Sequence, residues 1–305
     1  MKKVLSCFLL LGSFSSFATV IQYNDFSDTT GLTLNGNTQV VNNNLQLTNN
    51  IAWQGGSVFT TNAISLINDS SFATSFSFKI DNNSLGGDTD GLGADGLAFV
   101  IQTQNANVGG GGGGLGYQGI NNSVAVEFDT FNNTSWDNNN GNHVGIGING
   151  NVNTSNNVNE PFRFNEGDVW NVLITFDGIS KLFDVSWSME TDSTKGGSIS
   201  RILDVASILG STDAFLGFTS GTGSYASTHE ILSATFTNTS SIPIKVLSQN
   251  LTIEQKKDFC ITHFFNPVRY MGLLEIVKNE NNDLGKINAL QKFCEIELGK
   301  GAIVC

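Results

Sequence analysis

Residues 126–146 read VEFDTFNNTSWDNNNGNHVGI. This stretch contains the end of one strand pattern and the start of a second, separated by an asparagine-rich loop. The first pattern covers residues 124–129 and the second covers residues 143–148. In both, apolar side chains recur at every second position, which is the period of a β-strand and not of a helix. The stretch therefore predicts two strands of one sheet, joined by a polar loop.

The same period recurs along most of the chain. Serine and phenylalanine alternate at residues 75–80, and comparable patterns occupy residues 97–102, 170–177, 182–189, 214–219 and 231–237. Clusters of Gly, Asn, Asp and Ser separate these runs, and the helical pattern at residues 201–209 is short. Many strands without alternating helices predict an all-β fold, either an antiparallel sandwich or a jelly roll.

Charge and composition divide the chain unevenly. The 305 residues have a net charge of −12, but residues 19–238 carry 5 Lys/Arg and 20 Asp/Glu, whereas residues 239–305 carry 8 and 7. We therefore expect one β domain at residues 19–238 and a segment of different origin at residues 239–305. So acidic a chain also argues against a nucleic-acid partner.

The first 18 residues have the pattern of a secretory signal peptide. Lys2 and Lys3 form a basic region, residues 4–11 (VLSCFLLL) form a short apolar region, and residues 16–18 (SFA) form a small-residue cleavage site. We expect cleavage after Ala18 and a secreted or periplasmic protein. No apolar run reaches the roughly 20 residues of a transmembrane segment. The later cysteines lie at position 260 or beyond, so the β domain is expected to be stable without disulfides.

Five side chains with metal-ligand chemistry lie within 17 residues: Glu127, Asp129, Asn133, Asp137 and His143. Glu127 and Asp129 are two residues apart on a predicted strand, so both point to one face. Carboxylate and amide oxygens suit Ca²⁺, whereas carboxylates with one imidazole suit a transition metal such as Mn²⁺. Two adjacent metals that share Asp129 and Asp137 would use all five groups.

Four motifs in order resemble the legume (L-type) lectin family over about residues 20–237. EFDTF at 127–131, with WD at 136–137 and HVGI at 143–146, resembles the metal-binding segment of that family. ADGLAF at 94–99 resembles its sugar-binding aspartate motif, GGGLG at 112–116 its glycine loop, and residues 222–233 its specificity loop and the next strand. The resemblance implies a legume-lectin-like jelly-roll β-sandwich that binds glycans or glycoconjugates without catalysis. It leaves homo-oligomerisation open.

The resemblance also implies a role for each site residue. The calcium ligands would be Asp129, the carbonyl of Phe131, Asn133 and Asp137. The ligands of the second metal, Mn²⁺ or another transition metal, would be Glu127, Asp129, Asp137 and His143. The sugar contacts would be Asp95, an amide near Gly113, the Asn133 side chain and the Phe131 ring.

Three further features qualify these roles. In the lectin family the Ala94–Asp95 peptide is cis, so we expect a cis bond here. The glycine run is longer than the motif, which leaves Gly112, Gly113 and Gly114 as candidates for the sugar-binding amide. The loop before His143 is a residue longer than usual and lacks proline, which bears on the rigidity of the metal site.

A jelly-roll glycoside hydrolase is the enzymatic alternative for the β domain. Such an enzyme needs two carboxylates that flank the glycosidic bond, and Glu127 and Asp129 form a pair of this kind. A related glycosidase signature carries a further acid where Phe131 and Asn132 stand. Carboxylates that hold a metal are also not free for acid catalysis, so we favour the non-catalytic reading.

Residues 239–305 have a short α/β pattern and a second resemblance. Strands are predicted at residues 260–265, 273–277 and 302–304, with helices after residue 252 and at residues 283–298. HFFNP at 263–267 and LLE at 273–275 resemble an internal fragment of 3-hydroxyacyl-CoA dehydrogenases, in which the corresponding His is the catalytic base and the Glu orients it. His263 and Glu275 keep that spacing, but we expect the segment to lack the family's N-terminal nucleotide-binding half, with its glycine fingerprint. We therefore expect a fusion, produced by genome rearrangement or by sequence misassembly, with an inactive and poorly folded tail.

Overall fold

The chain forms two compact units, Met1–Ile242 and Pro243–Cys305, in a computed structural model. The structure describes residues 19–66, 70–81, 86–88, 91–108, 111–154, 157–239, 261–264, 273–277, 280, 282–296 and 301–304. The predicted signal peptide and the predicted helix after residue 252 lie outside the described residues. Within these residues, no helix has both the length and the apolar character needed to cross a membrane.

The described strands of the first unit pair into two antiparallel sheets and one small hairpin. The strands of the back sheet are β1 (Val20–Tyr23), β3 (Gln39–Val41), β4 (Asn44–Thr48), β7 (Phe72–Ile80), β14 (Val169–Asp177), β15 (Leu182–Met189), β16 (Gly196–Ile202) and β18 (His229–Thr237). Those of the front sheet are β2 (Leu32–Gly36), β5 (Gly55–Thr60), β6 (Ile64–Ser65), β10 (Gly96–Gln102), β11 (Ser123–Asp129), β12 (His143–Ile148), β13 (Val158–Asn159) and β17 (Asp213–Gly221). The hairpin consists of β8 (Gly87–Asp88) and β9 (Gly91–Leu92).

An aromatic core fills the space between the two sheets. Phe76 of β7 packs edge-on against Phe218 of β17 with ring centroids 4.8 Å apart, and Phe78 lies 4.9 Å from Phe128 of β11. These rings are buried, whereas Ser77 between them on β7 is only half-buried. Each buried phenylalanine contributes roughly 1.5–3 kcal/mol relative to an exposed one. Successive side chains of the strand thus point alternately to the core and to the surface. The predicted all-β sandwich is confirmed.

One predicted helix is shorter in the structure than its sequence pattern. The pattern covers residues 201–209, but residues 201 and 202 complete β16 by pairing with β15. Helix α1 (Val205–Leu209) begins only after Asp204, whose carboxylate accepts a 3.2 Å hydrogen bond from the amide of Ser207. It ends at Gly210, whose φ of +63° is the left-handed conformation typical of a helix C-terminus.

A second, smaller core covers the outer surface of the front sheet. Leu115, Tyr117 and Ile120 from the loop before β11 pack with side chains of the sheet, including Phe59 and Val100. The loop lies so close to β17 that a Cβ on Gly116 would stand 2.9 Å from the carbonyl of Ser220. This packing places the glycine-rich segment beside the ends of β10, β11 and β17.

The described part of the second unit is a small α/β layer. Its elements are β19 (Ile261–Phe264), β20 (Leu273–Val277), α2 (Leu284–Ile296) and β21 (Gly301–Val304). β20 pairs antiparallel with β19 and parallel with β21. Ile276, Ile287 and Cys294 form its buried cluster, and Asp283 accepts amide hydrogen bonds at the start of α2. These elements match the predicted ones to within two residues at each end, and the expectation of a poorly folded remnant stays a prediction.

Candidate functional site

Strands β11 and β12 bring the predicted metal ligands together. Asp129 and His143 are direct partners across the two strands, and Glu127 is paired with Gly145. Asp137 is carried back to them by the loop between the strands. Asp129, Asp137 and His143 each offer a ligand atom within 4.8 Å of the other two. All four polar side chains are buried, which is costly for carboxylates unless a cation accompanies them.

The loop between the strands fixes two of the carboxylates through its own backbone. The amide of Phe131 donates a 2.8 Å hydrogen bond to Oδ1 of Asp129. The amide of Asn133 likewise donates to Oδ2 of Asp137. Each carboxylate keeps its other oxygen for a further partner, so the loop presents oxygen atoms of the kind that Ca²⁺ prefers.

The carboxylates repel one another strongly. Burial, followed by repulsion from Asp137 and Glu127, raises the pKa of Asp129 well above its usual range. Burial also raises the pKa of Asp137 to about 6, against the opposing effects of the Asn133 amide and of His143. A divalent cation between these groups would offset the repulsion, because its positive charge attracts each carboxylate.

The hydrogen bonds of His143 reveal a position for a metal. Its Nδ1 lies 3.0 Å from the carbonyl oxygen of Asn140, and since a carbonyl only accepts, Nδ1 carries the hydrogen. Nε2 of the neutral ring then presents a lone pair, yet it lies 3.4 Å from Oε1 of Glu127, which also only accepts. Two facing acceptors require a cation or a proton between them. The donor set of one imidazole and carboxylates fits a transition metal.

Two hydroxyl groups that were not predicted from the sequence donate hydrogen bonds to Glu127. Tyr117 donates a 2.5 Å hydrogen bond to Oε2, and Thr154 donates to Oε1. Gly145 leaves room for this arrangement, because a Cβ there would lie 2.5 Å from Oε1 of Glu127. Gly147 likewise leaves room for Tyr117, because a Cβ added at Gly147 would lie 2.7 Å from the Tyr117 hydroxyl. The glycines at alternate positions of β12 were a signal of close packing, although they did not identify the partners.

Asp95 and Asn133 present oxygen atoms without partners in the site. Oδ2 of Asp95 and Oδ1 of Asn133 are buried and accept no hydrogen bond from the described residues. The Ala94–Asp95 peptide is cis, as expected, and the main chain of Asp95 bonds to Gly221 and Thr130. Burial raises the pKa of Asp95 to about 7, opposed by a hydrogen bond from the Gly223 amide and reinforced by repulsion from Asp137. Such oxygens suit the hydroxyl donors of a polar ligand.

The structure distinguishes among the three candidate glycines. The amide of Gly112 is already bonded to the carbonyl of Thr222, at 3.2 Å. A Cβ on Gly114 would collide with Gln118, whereas a Cβ on Gly113 would stand 3.0 Å from Nδ2 of Asn133. Gly113 is therefore the candidate whose backbone lies against Asn133.

Aromatic side chains border the same site. The rings of Phe131 and Tyr225 lie 5.9 Å apart with a tilt of 46°. Tyr225 is 41% exposed and packs over Gly86, where a Cβ would overlap its ring. A half-buried ring beside the Asp95 carboxylate and the Asn133 amide can cover the apolar face of a ligand whose hydroxyls those two groups bind.

Residues 18–251 match the family model described as the legume lectin domain. The chain belongs to the legume lectin domain family. The predicted legume-lectin-like sandwich is thereby confirmed for the β domain. We call residues 131–142 the metal loop and residues 222–228 the specificity loop, after the family segments that they resemble.

Similar proteins include plant lectins and lectin-domain receptor kinases. Seed agglutinin 2 of Robinia pseudoacacia is 36% identical over 181 residues, which cover 55% of this chain and 59% of the agglutinin. The L-type lectin-domain containing receptor kinase IX.2 of Arabidopsis thaliana is 35% identical over 173 residues, which cover 54% of this chain and 25% of the kinase. The matched region thus spans from a quarter to about three-fifths of these curated relatives.

Solved lectin structures have the same fold over nearly their whole length. Lectin II from Ulex europaeus superposes with a TM-score of 0.62 at 27% identity, covering 72% of this chain and 97% of the lectin. Basic winged bean lectin with Tn-antigen superposes with a TM-score of 0.63 at 28% identity, covering 72% of this chain and 98% of that lectin.

The second resemblance is also confirmed. Residues 223–305 match the model of the 3-hydroxyacyl-CoA dehydrogenase NAD binding domain. The tail is thus similar to part of the nucleotide-binding domain itself, which corrects the expectation that this half is missing. Residues 239–305 nevertheless contain no G-x-G-x-x-G motif. His263 and Glu275 are direct partners in the pairing of β19 with β20.

Proposed function

We propose that the chain is a secreted or periplasmic, non-catalytic lectin that binds glycans with the help of Ca²⁺ and a transition metal such as Mn²⁺. The observation that carries the proposal is the pair of buried, unpartnered oxygens, Oδ2 of Asp95 and Oδ1 of Asn133. A sugar hydroxyl can donate to Oδ2 of Asp95, and Oδ1 of Asn133 is left for Ca²⁺. Nδ2 of Asn133 and the Gly113 amide then donate to sugar oxygens, and the Phe131 ring covers the apolar face.

The metals serve to order the sugar-binding groups. Asp129, Asn133, Asp137 and the Phe131 carbonyl are the proposed calcium ligands, and Glu127, Asp129, Asp137 and His143 are the proposed ligands of the second metal. Asn133 belongs to both the metal loop and the sugar site, so a bound calcium would fix its amide before the sugar arrives. Less ordering entropy is then lost on binding.

The ligands named for similar structures support a glycan and leave its identity open. Ulex europaeus lectin II was solved with galactose, the Bauhinia forficata lectin with GalNAc, and Ulex europaeus lectin I with a methyl glycoside of α-L-fucose. A monosaccharide of about 12 heavy atoms, at roughly −0.3 kcal/mol per atom, would bind with a millimolar Kd. Multivalent glycans or homo-oligomers would raise this affinity.

The test is binding of the full chain to a glycan array. We expect binding with Ca²⁺ and Mn²⁺ present, and loss of binding in chelator or in the Asp95→Asn variant. Asp192→Asn is the matched control, because Asp192 is a partly exposed residue whose carboxylate accepts hydrogen bonds from Thr194. Binding that survives both chelator and Asp95→Asn would overturn the proposal, as would a metal-loaded, folded protein that binds no glycan.

The non-catalytic and extracellular parts of the proposal have separate tests. Incubation with aryl glycosides and with 3-hydroxyacyl-CoA plus NAD should yield no product, and turnover that depends on Glu127 or His263 would contradict this.

N-terminal sequencing of protein recovered from outside the cytoplasm should find Thr19 as the first residue. An uncleaved protein that stays in the cytoplasm would refute secretion.

A further inference from the structure

Trp53 is a solvent-exposed aromatic residue on the loop between β4 and β5. Its side chain is 75% exposed, whereas Trp170 and Trp187 are buried in the core. Its φ of +60° lies in the left-handed region, which is a true outlier for a bulky residue. A disfavoured backbone conformation persists only where the surrounding structure stabilises it, and such residues cluster at ligand-binding sites.

The framework is the specificity loop. The amide of Trp53 donates a 2.9 Å hydrogen bond to the carbonyl of Gly223. The neighbouring amide of Gln54 donates to the hydroxyl of Thr222 at 2.8 Å, and that hydroxyl donates to the carbonyl of Ile51 at 2.8 Å. The backbone of Thr222 in turn donates to the carbonyl of Gln54. The Trp53 loop is therefore fixed to the specificity loop by four hydrogen bonds.

The same short segment contacts the proposed sugar-binding carboxylate. The amide of Gly223 hydrogen-bonds to Asp95, and a Cβ on Gly223 would lie 3.4 Å from Oδ2 of Asp95. Gly223 thus bonds through its amide to Asp95 and through its carbonyl to Trp53. One residue separates the central carboxylate of the site from the backbone of an exposed tryptophan.

We propose that Trp53 forms a second stacking platform, so that the site takes an oligosaccharide of two or more sugar rings in preference to a monosaccharide. The inference rests on the proposed function, with the terminal sugar bound by Asp95, Asn133 and Phe131. A monosaccharide alone is too small for tight binding, and a further ring adds apolar area at the place where Trp53 stands. Tryptophan suits this role because it offers a large rigid surface with little loss of side-chain entropy.

The test compares binding to monosaccharide glycosides with binding to di- and trisaccharides that end in the same sugar. The variant is Trp53→Asn in the full chain, because asparagine tolerates a positive φ and so preserves the loop. Trp53→Phe retains an aromatic face, Ile179→Ala removes another highly exposed apolar side chain, and Asp95→Asn removes the primary site. A glycan array finds the terminal sugar, and calorimetry measures each Kd.

We expect Trp53→Asn to lose about fivefold in affinity for the longer glycans and to keep its affinity for the monosaccharide. Trp53→Phe should recover part of the loss, and Ile179→Ala should behave like the wild type. Equal losses for both ligand classes, or none, would overturn the inference. A loss confined to nitrophenyl glycosides would also overturn it and would assign the platform to an apolar aglycone.

The two proposals fail in different ways. Binding that Asp95→Asn leaves intact refutes the proposed primary site, whatever Trp53→Asn does. Binding that Asp95→Asn abolishes but Trp53→Asn leaves unchanged refutes only the second platform. A folded, metal-loaded wild type that binds no glycan overturns both.

Discussion

The hydroxyl of Tyr117 donates a 2.5 Å hydrogen bond to Oε2 of Glu127, and both side chains are buried. Thr154 donates to the other oxygen of the same carboxylate. The two hydroxyls fix the orientation of Glu127 so that Oε1 lies 3.4 Å from Nε2 of His143. Removing a group that holds a metal ligand in place typically weakens metal affinity by roughly 10- to 100-fold.

Tyr117→Phe should therefore weaken binding of Mn²⁺ by about tenfold and leave Ca²⁺ affinity nearly unchanged. The reason is that Glu127 is a proposed ligand of the second metal only. Titration calorimetry with each metal measures the effect. Tyr23→Phe is the control, since it also removes a buried tyrosine hydrogen bond, to the carbonyl of Thr30. An Mn²⁺ affinity equal in both variants would contradict the prediction.

Asp137→Asn should change stability in opposite directions with and without metal. In the metal-free protein, the substitution removes a carboxylate whose pKa is raised to about 6 chiefly by burial, so the unfolding free energy at pH 7 should rise by about 1 kcal/mol. With saturating metal, the wild type should gain about 2.7 kcal/mol at 100 times Kd, and the variant should gain much less. Urea unfolding in chelator and in Ca²⁺ with Mn²⁺ measures both. An equal metal-induced gain would count against the proposed site.

His229 predicts a loss of stability in acid. Its Nδ1 lies 2.7 Å from the hydroxyl of Thr48, and burial lowers its pKa to about 3. In the unfolded chain the pKa is about 6.5, so on acidification the unfolded state takes up this proton first. The contribution of His229 is therefore complete above pH 6.5 and declines toward pH 3, by at most about 1.4 kcal/mol per pH unit.

The corresponding variant is His229→Gln, which cannot take up that proton. Its unfolding free energy should fall less steeply than that of the wild type between pH 6 and pH 4. Urea denaturation of chelator-treated protein across this range isolates the effect, because the acidic groups are common to both chains. Parallel curves would show that His229 does not carry the predicted acid sensitivity.

Gly145→Ala should disturb both folding and metal binding. The added methyl group would meet Oε1 of Glu127 at 2.5 Å on β12, the second strand from one edge of the front sheet. Relief requires a shift of β12 or of the carboxylate, at a cost of about 1–3 kcal/mol. Thermal unfolding and Mn²⁺ titration measure the two consequences. A variant with wild-type stability and wild-type metal affinity would mean that the strand adjusts without cost.

Much of this site could be predicted from residues 126–146 alone. The period-two pattern of β11 places Glu127 and Asp129 on one face, and His143 begins the next strand, so local geometry gathers the candidate ligands. The roles of Asp95 and Gly113, by contrast, came from a family resemblance. They lie on other loops, and nothing in their local sequence determines that they approach Asn133.

The sequence by itself determined the strands, their buried faces and the ligand-bearing loop, because these depend on side-chain periodicity over a few residues. Only the tertiary structure decided which distant groups complete the site. Tyr117 and Thr154 lie 10 and 27 residues from Glu127, and Trp53 meets Gly223 from another loop. Such contacts form when the sheets stack and the loops at their ends close together. Their geometry is set by packing of the whole domain, which no short stretch of sequence encodes.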